Sequence, residues 1–140
     1  LMYLVMTNYI NYKKKNRNIF ILSKGHSVPA FYAIMYHLNI LSLVELKTFR
    51  KFGSKLQGHP DMTKLEYLDS GTGALGQGLS ISTGYSLSAK LKKKKKLIFC
   101  LLGDGEIQEG QIWEDAMYIG AKKINNILTI IDRNKFQNEY

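Results

Sequence analysis

Two oxygen-bearing side chains, Asp104 and Asn134, stand where a metal ion could be held between two strands. Each follows a short apolar run, and they lie 134 − 104 = 30 positions apart in the chain. Parallel strands end at the same edge of a sheet, where α/β proteins bind their ligands. Gly103 and Gly105 flank Asp104 and let the backbone approach a bulky anion. We therefore expect a hard cation such as Mg²⁺, with phosphate oxygens completing its coordination. A plain Gly-Asp-Gly turn after a strand is the alternative.

The elements that must position these residues form a strand–helix–strand unit. Residues 97–102 and 127–131 are continuous apolar runs, which are typical of strands covered on both faces. Between them, residues 109–123 predict an amphipathic helix with one apolar stripe, formed by Ile112, Trp113, Ala116, Met117 and Gly120. Short joints make this unit a right-handed βαβ crossover. The expected fold class is therefore α/β, with a parallel sheet flanked by helices.

His26 and His59 are candidate acid–base groups, because each follows a glycine in a turn-like segment. A neutral imidazole near pH 7 donates a hydrogen bond to a developing oxyanion or accepts a hydroxyl proton. A lone histidine is more often a surface or satisfied core residue. That description suits His37, which lies in the middle of a predicted helix.

Glycines and other small residues crowd residues 71–89, yet this segment is predicted to be helical from Leu79 onward. Glycine inside a helix costs about 1 kcal/mol relative to alanine, so we expect a backbone or a ligand to pack closely there. A flexible loop is the alternative, and the apolar Leu79, Ile81 and Leu87 argue against it.

Two further helices are predicted upstream. Ser27 is expected to cap a helix over residues 30–38. Ser42 and Glu45 predict a capping box that opens a second helix over residues 43–52.

Length and charge limit the classes of protein that fit. A chain of 140 residues with 45% hydrophobic content can bury one core, so we expect a single domain over residues 1–140. The net charge of +9 comes mainly from lysine, whereas base readout leans on arginine, so no nucleic acid is expected as a partner. The single cysteine, Cys100, excludes an internal disulfide and fits a cytoplasmic protein. The apolar residues before Lys13 are too few to cross a bilayer, so no membrane is expected.

Four blocks of sequence together resemble the cofactor-binding domain of the transketolase family. In chain order they are Leu22-Ser23-Lys24-Gly25-His26; Phe49-Arg50-Lys51-Phe52-Gly53-Ser54 with Gly58-His59-Pro60-Asp61; Gly73-Ala74-Leu75-Gly76-Gln77-Gly78; and residues 103–116 with Asp132-Arg133-Asn134-Lys135. The likeness is greatest to bacterial transketolases whose N-terminal part is a separate polypeptide. It implies the thiamine-diphosphate-binding fold, incomplete at both ends, with thiamine diphosphate and Mg²⁺ as cofactors.

The resemblance also implies roles for individual positions. The metal ligands would be Asp104, Asn134 and, through its backbone carbonyl, Phe136. The cofactor-binding residues would be His26, His59, Gly73, Leu75, Gly105, Glu106 and Asn134. Of these, His26 and His59 would also be catalytic, because they would face the reactive thiazolium carbon and the hydroxyls of the donor sugar. Glu109 and Glu114 would belong to an acidic cluster at a subunit interface.

The implied activity is transfer of a two-carbon ketol unit from a ketose phosphate to an aldose phosphate, a step of the pentose phosphate pathway. In this family the glutamate that protonates the aminopyrimidine lies on a second domain. We therefore expect a fragment or a reduced subunit that is active only with a C-terminal transketolase subunit or domain, as a dimer or heterotetramer. Three alternatives stay open: another thiamine-diphosphate enzyme such as deoxyxylulose-phosphate synthase, a non-catalytic cofactor-binding remnant, and a nucleic-acid-binding module.

Overall fold

A parallel sheet of three strands forms the centre of the computed structural model, which describes residues 1–137. The strands are β1 (Ile19–Leu22), β2 (Ile98–Gly103) and β3 (Ile127–Asp132), and β2 lies in the middle. Ile98 pairs with Ile19 on one side and with Ile127 on the other. In this register the carboxyl ends of all the strands reach the same edge of the sheet.

Within the described residues the chain forms five α-helices: α1 (Met2–Tyr9), α2 (Val28–His37), α3 (Leu43–Leu46), α4 (Gln77–Leu91) and α5 (Gly110–Ala121). One face of the sheet, with Phe20 and Phe99, packs with α1 and α2. The other face, with Ile21 and Cys100, packs with α4 and α5. Alternate residues of β1 and β2 therefore enter separate hydrophobic clusters, as the two-residue period of a strand requires. Every residue of β2 is buried.

The α/β prediction is confirmed, with parallel strands and flanking helices. The prediction that both apolar strands are covered on both faces holds for β2 but is wrong for β3, where no residue is buried and Leu128 and Ile131 are 53% and 48% exposed. Helix α4 begins at Gln77 and runs without a break to Leu91, so the flexible-loop alternative for this segment is wrong. The strand β1 was not predicted. It is only four residues long, and residues 1–18 before it show no pattern that indicates a strand there.

The side of α5 that was predicted to be its apolar, packed face is not the side that packs against the protein. Ile112 is buried, whereas Trp113 is 59% exposed and Met117 is 68% exposed. The inward face is instead formed by Ile112 and Ile119, and by Asp115, whose carboxylate accepts a hydrogen bond from the hydroxyl of Ser80 on α4. Ser80 also accepts a hydrogen bond from the side chain of Gln111, so the contact between α4 and α5 is partly polar.

Two details of the smaller helices differ from expectation. Ser42 and Glu45 form the predicted capping box, but α3 ends at Leu46 and hydrogen-bonded turns follow it. Ser27 occupies the N-cap position of α2, yet its hydroxyl donates to the carbonyl of Lys24 and caps no helical N–H.

Within residues 1–137, no helix combines the length and the apolar character that crossing a membrane requires.

Candidate active site

The turn after β2 and the loop after β3 are joined through Asp104. Its Oδ2 accepts a hydrogen bond from the backbone N–H of Lys135 at 2.6 Å, and its Oδ1 accepts from the N–H of Gly105 at 3.2 Å. The hydrogen bond from Lys135 is the main cause that lowers the pKa of Asp104 below its usual range. The carboxylate is therefore ionised at neutral pH, and it lies beside the loop that carries Asn134.

The loop after β3 curls over this turn and brings further oxygen atoms to it. Oδ1 of Asn134 accepts from the N–H of Phe136 at 2.8 Å. The carbonyl oxygen of Phe136 lies 3.8 Å from the place that a Cβ on Gly105 would occupy. The same Cβ would lie 3.1 Å from Cβ of Gln137, so only glycine leaves this approach open. Asp104 and the segment that carries Asn134 and Phe136, the other predicted metal ligands, thus lie next to each other at one edge of the sheet.

These donors fit a hard divalent cation. A carboxylate, an amide oxygen and a backbone carbonyl are the oxygen ligands that Mg²⁺ takes, and Mg²⁺ commonly completes its shell with phosphate oxygens. Within the described residues no three His, Cys, Asp or Glu side chains come together as a metal cluster. A cation bound here would therefore need the amide and carbonyl oxygens, and oxygens of its own ligand.

The ring of His59 packs on two glycines, one of which directly precedes His26 in the chain. A Cβ on Gly25 would lie 3.1 Å from Cδ2 of His59, and a Cβ on Gly73 would lie 3.2 Å from Cδ2 and Cγ of the same ring. The imidazole of His59 therefore rests on the backbone next to His26. Gly73, which was predicted to line the cofactor site, is one of the two residues beneath it.

The pKa of His26 is lowered, first by partial burial and then by the positive charge of Lys24; the charges of Glu106 and Asp132 act in the opposite direction. The ring is accordingly neutral near pH 7, when it can both donate and accept a hydrogen bond. His37 lies elsewhere, with its Nε2 3.0 Å from the hydroxyl of Tyr3, as expected for a histidine outside the site.

Lys24 and Asp132 are site residues that sequence reasoning missed. Nζ of Lys24 lies 2.5 Å from Oδ2 of Asp132, and the lysine side chain is only 5% exposed. Lys24 lies just beyond the end of β1, and Asp132 is the last residue of β3. That position, shared with Asp104 and Asn134, was the signal that could have identified them.

Glu106, which was predicted to contact the cofactor, is held inside the protein by several hydrogen bonds. Its side chain is 2% exposed, and Oε1 accepts from the N–H of Gly76 at 2.9 Å while Oε2 accepts from the N–H of Gly103 at 3.1 Å. The hydroxyl of Ser23 donates to Oε1 as well. Both oxygens are engaged by the protein, so Glu106 connects these segments, and its contact with a cofactor stays a prediction.

An open cleft of about 470 Å³ adjoins these residues. It is lined by Pro60, Asp61, Met62, Thr63, Ser70, Gly71, Thr72, Gly73, Ala74 and Gln77. Leu75 is 42% exposed on the same segment, and Glu109 and Glu114 lie on the surface next to and on α5. Gly73 lines this cleft and also lies against the ring of His59, so a ligand bound next to Gly73 would lie near that ring.

Comparison with known proteins places this geometry in a family. The family model described as transketolase, thiamine diphosphate binding domain, matches residues 2–139. Human transketolase is 40% identical over 117 residues, which are 83% of this chain and 19% of that protein. One of the subunits of apulose-4-phosphate transketolase from Phocaeicola vulgatus is 40% identical over 125 residues, which are 89% of this chain and 44% of that polypeptide.

Solved structures agree in fold. Transketolase from Campylobacter jejuni superposes with a TM-score of 0.83 at 31% identity, over 96% of this chain and 23% of that one. Transketolase from Leishmania mexicana gives a TM-score of 0.86 at 25% identity, over 96% and 22%. The chain spans less than half the length of each of these relatives. The chain belongs to the transketolase family, to the part that forms its N-terminal thiamine-diphosphate-binding domain.

Proposed function

We propose that this chain binds thiamine diphosphate with Mg²⁺ and forms the N-terminal part of a transketolase. The observation that carries the proposal is the hydrogen bond from Lys135 to Asp104, because it holds the loop of Asn134 against the Gly-Asp-Gly turn. Asp104, Asn134 and the carbonyl of Phe136 would then hold the cation, which in turn would hold the diphosphate. The backbone of Gly105 would lie against the diphosphate.

The rest of the proposal concerns catalysis of ketol transfer from a ketose phosphate to an aldose phosphate. When bound, thiamine diphosphate supplies the electron sink that protein side chains lack. His26 and His59 would orient the sugar hydroxyls and move a proton to or from the reacting oxygen. The lowered pKa of His26 supports this role, because the neutral ring is the form that accepts a proton. Gly73 and Leu75 would form the wall on the other side of the cofactor.

A partner chain or domain would complete the site. A relative whose name makes it one subunit of a transketolase supports a division of the enzyme between two polypeptides. The exposed Trp113 and Met117 on α5, next to the acidic Glu109 and Glu114, offer an apolar and acidic surface on which such a partner could dock. We propose a dimer or heterotetramer with a C-terminal transketolase subunit, working on sugar phosphates of the pentose phosphate pathway in the cytoplasm.

The relatives' names favour transketolase over deoxyxylulose-phosphate synthase, since those quoted above are transketolases or transketolase subunits. A non-catalytic remnant would bind the same cofactor, so only a rate measurement with a partner separates it from an enzyme.

Calorimetry tests the binding step. The native chain should bind thiamine diphosphate when Mg²⁺ is present and should lose that binding when the metal is withheld. Asp104→Ala should abolish the metal-dependent heat, whereas Glu66→Ala, which removes an exposed carboxylate outside this site, should leave it unchanged. Equal affinities for the native chain and Asp104→Ala would refute the metal site.

A further inference from the structure

One buried carboxylate connects the loops that surround the proposed cofactor site. Glu106 follows the Gly-Asp-Gly turn, and it accepts hydrogen bonds from three donors that belong to three different segments. These donors are the hydroxyl of Ser23 after β1, the N–H of Gly103 at the end of β2 and the N–H of Gly76 at the start of α4. Each segment also carries a residue of the site, namely His26, Asp104 and Gly73.

The donors are themselves held in place. Gly76 has a φ of 85°, a left-handed conformation that glycine adopts without strain and that aims its N–H at the carboxylate. Ser23 is fully buried against α4, where a Cβ on Gly78 would lie 2.8 Å from Cα of Ser23. Close packing of Gly78 thus leaves Ser23 little freedom to turn away from Glu106.

Water cannot replace the hydrogen bonds that Glu106 accepts without a loss of stability. A carboxylate that accepts two backbone N–H groups and a hydroxyl makes charge-assisted hydrogen bonds, which are about twice as strong as neutral ones. Removing the acceptor would leave two buried N–H groups unpaired, and unpaired buried donors are costly. The segments would then separate, or water would enter between them.

We infer that Glu106 is a positioning residue, which sets the spacing between the metal turn, the start of α4 and the histidine loop without touching cofactor or substrate. This inference rests on the proposed function for its consequence, since the spacing matters to thiamine diphosphate binding only if the cofactor binds here. The hydrogen-bond geometry of Glu106 is independent of that proposal.

The substitution Glu106→Gln separates shape from hydrogen bonding. The two side chains have nearly the same size, but the amide carries one acceptor oxygen and one NH₂ group. The Ser23 hydroxyl can turn to accept, whereas the N–H groups of Gly76 and Gly103 only donate. Whichever way the amide is turned, its NH₂ faces one of these backbone donors, so at least one contact is lost.

The experiment measures hydrogen exchange at the Gly76 and Gly103 amides in the full chain by NMR, together with thiamine diphosphate affinity in Mg²⁺. Glu106→Gln should speed exchange at one or both amides by at least about tenfold and weaken cofactor binding by a similar factor. The control is Asp69→Asn, which weakens the partly buried Arg17–Asp69 ion pair at the other end of β1. It should lower global stability yet leave cofactor affinity native-like.

Native exchange at both amides in Glu106→Gln would overturn the inference, and so would faster exchange with unchanged cofactor affinity. If the native chain binds no cofactor while exchange still rises at these amides, the proposed function fails and the connecting role of Glu106 stands. Should Glu106→Gln not fold, Ser23→Ala removes one donor only and should give the same changes to a smaller degree. No change in exchange or affinity in Ser23→Ala would then count against the inference.

Discussion

Nζ of Lys24 lies 2.5 Å from Oδ2 of Asp132, so an ion pair joins the ends of the two outer strands across the end of the central one. β1 and β3 do not pair with each other, and the sheet hydrogen bonds alone leave their ends free to move apart. The ion pair connects the histidine loop after β1 with the Asn134 loop after β3. It also places a positive charge near His26.

The pH response of His26 follows from this placement. We expect an NMR titration of the native chain to give a midpoint below 6.5, because partial burial and the charge of Lys24 lower the pKa of this ring. Lys24→Met should raise the midpoint, since it removes a neighbouring cation and leaves the carboxylate of Asp132 unpaired. Lys64→Met, at an exposed position, should not change it. An unchanged midpoint in Lys24→Met would contradict this electrostatic account.

The lowered pKa of His26 also makes the stability of the folded protein depend on pH. The folded pKa of His26 lies below the unfolded value of 6.5, so the unfolded state binds more protons between the two. The contribution of the neutral ring to stability is therefore present above pH 6.5 and is lost as the pH falls through the folded pKa. In urea unfolding, the difference in unfolding free energy between the native chain and His26→Asn should become smaller from pH 7 to pH 5.

His59 is expected to act on the rate more than on cofactor binding. Mixed with a cognate C-terminal transketolase subunit, the native chain should convert xylulose and ribose phosphates. His59→Ala should lower kcat by about 100-fold or more, the range typical of a lost acid–base group. Its affinity for thiamine diphosphate should change far less. Equal rates for the native chain and His59→Ala would remove this residue from the catalytic group.

Two glycines of α4 should respond to alanine in opposite ways. A Cβ on Gly78 would lie 2.8 Å from Cα of Ser23, so Gly78→Ala should destabilise the fold by about 2 kcal/mol through overpacking. Gly84 lies on the exposed side of the same helix, and a Cβ there meets nothing within 4 Å. Gly84→Ala should therefore stabilise the protein by about 0.5–1 kcal/mol. Chemical denaturation measures both, and equal effects would refute the packing argument.

Cys100 should be unreactive until the protein unfolds. It is fully buried in β2, and burial raises the pKa of its thiol to about 12, so almost no thiolate exists at pH 8. An aromatic disulfide reagent should label the chain only in denaturant, with Cys100→Ala as the blank. Rapid labelling of the folded protein at pH 8 would show that β2 opens more easily than its packing implies.

Local sequence patterns predicted the parts of the fold that depend on local chemistry. The continuous apolar runs gave β2 and β3, and the pair of Ser42 and Glu45 gave a capping box. The stripe of α5 was wrong because a helix with apolar residues on several sides does not show which side packs. Asp115 faces inward to meet Ser80 of α4, and Ile112 joins the apolar cluster under the sheet, so both contacts depend on other segments of the chain.

The side-chain pairings around the site depend on contacts between distant positions. Lys24 and Asp132 lie 108 positions apart, and Ser23 and Glu106 lie 83 apart. The position of Lys24 and Asp132 at strand ends indicates that they lie at one edge of the sheet, but no pattern along the chain shows which side chains pair. The proximity of Asp104 to the Asn134 loop was predicted because the end of a parallel strand is itself a positional rule.

The strand order also affects how this chain must fold. Ile98 of the central strand pairs with Ile19, which precedes it by 98 − 19 = 79 positions, and with Ile127 after it. During synthesis β1 therefore leaves the ribosome long before its neighbour exists, and its backbone stays unpaired while the intervening segments are made. Pairings between such distant segments slow folding and expose strand edges to aggregation. We expect the incompletely synthesised chain to depend on chaperones until β2 pairs with β1.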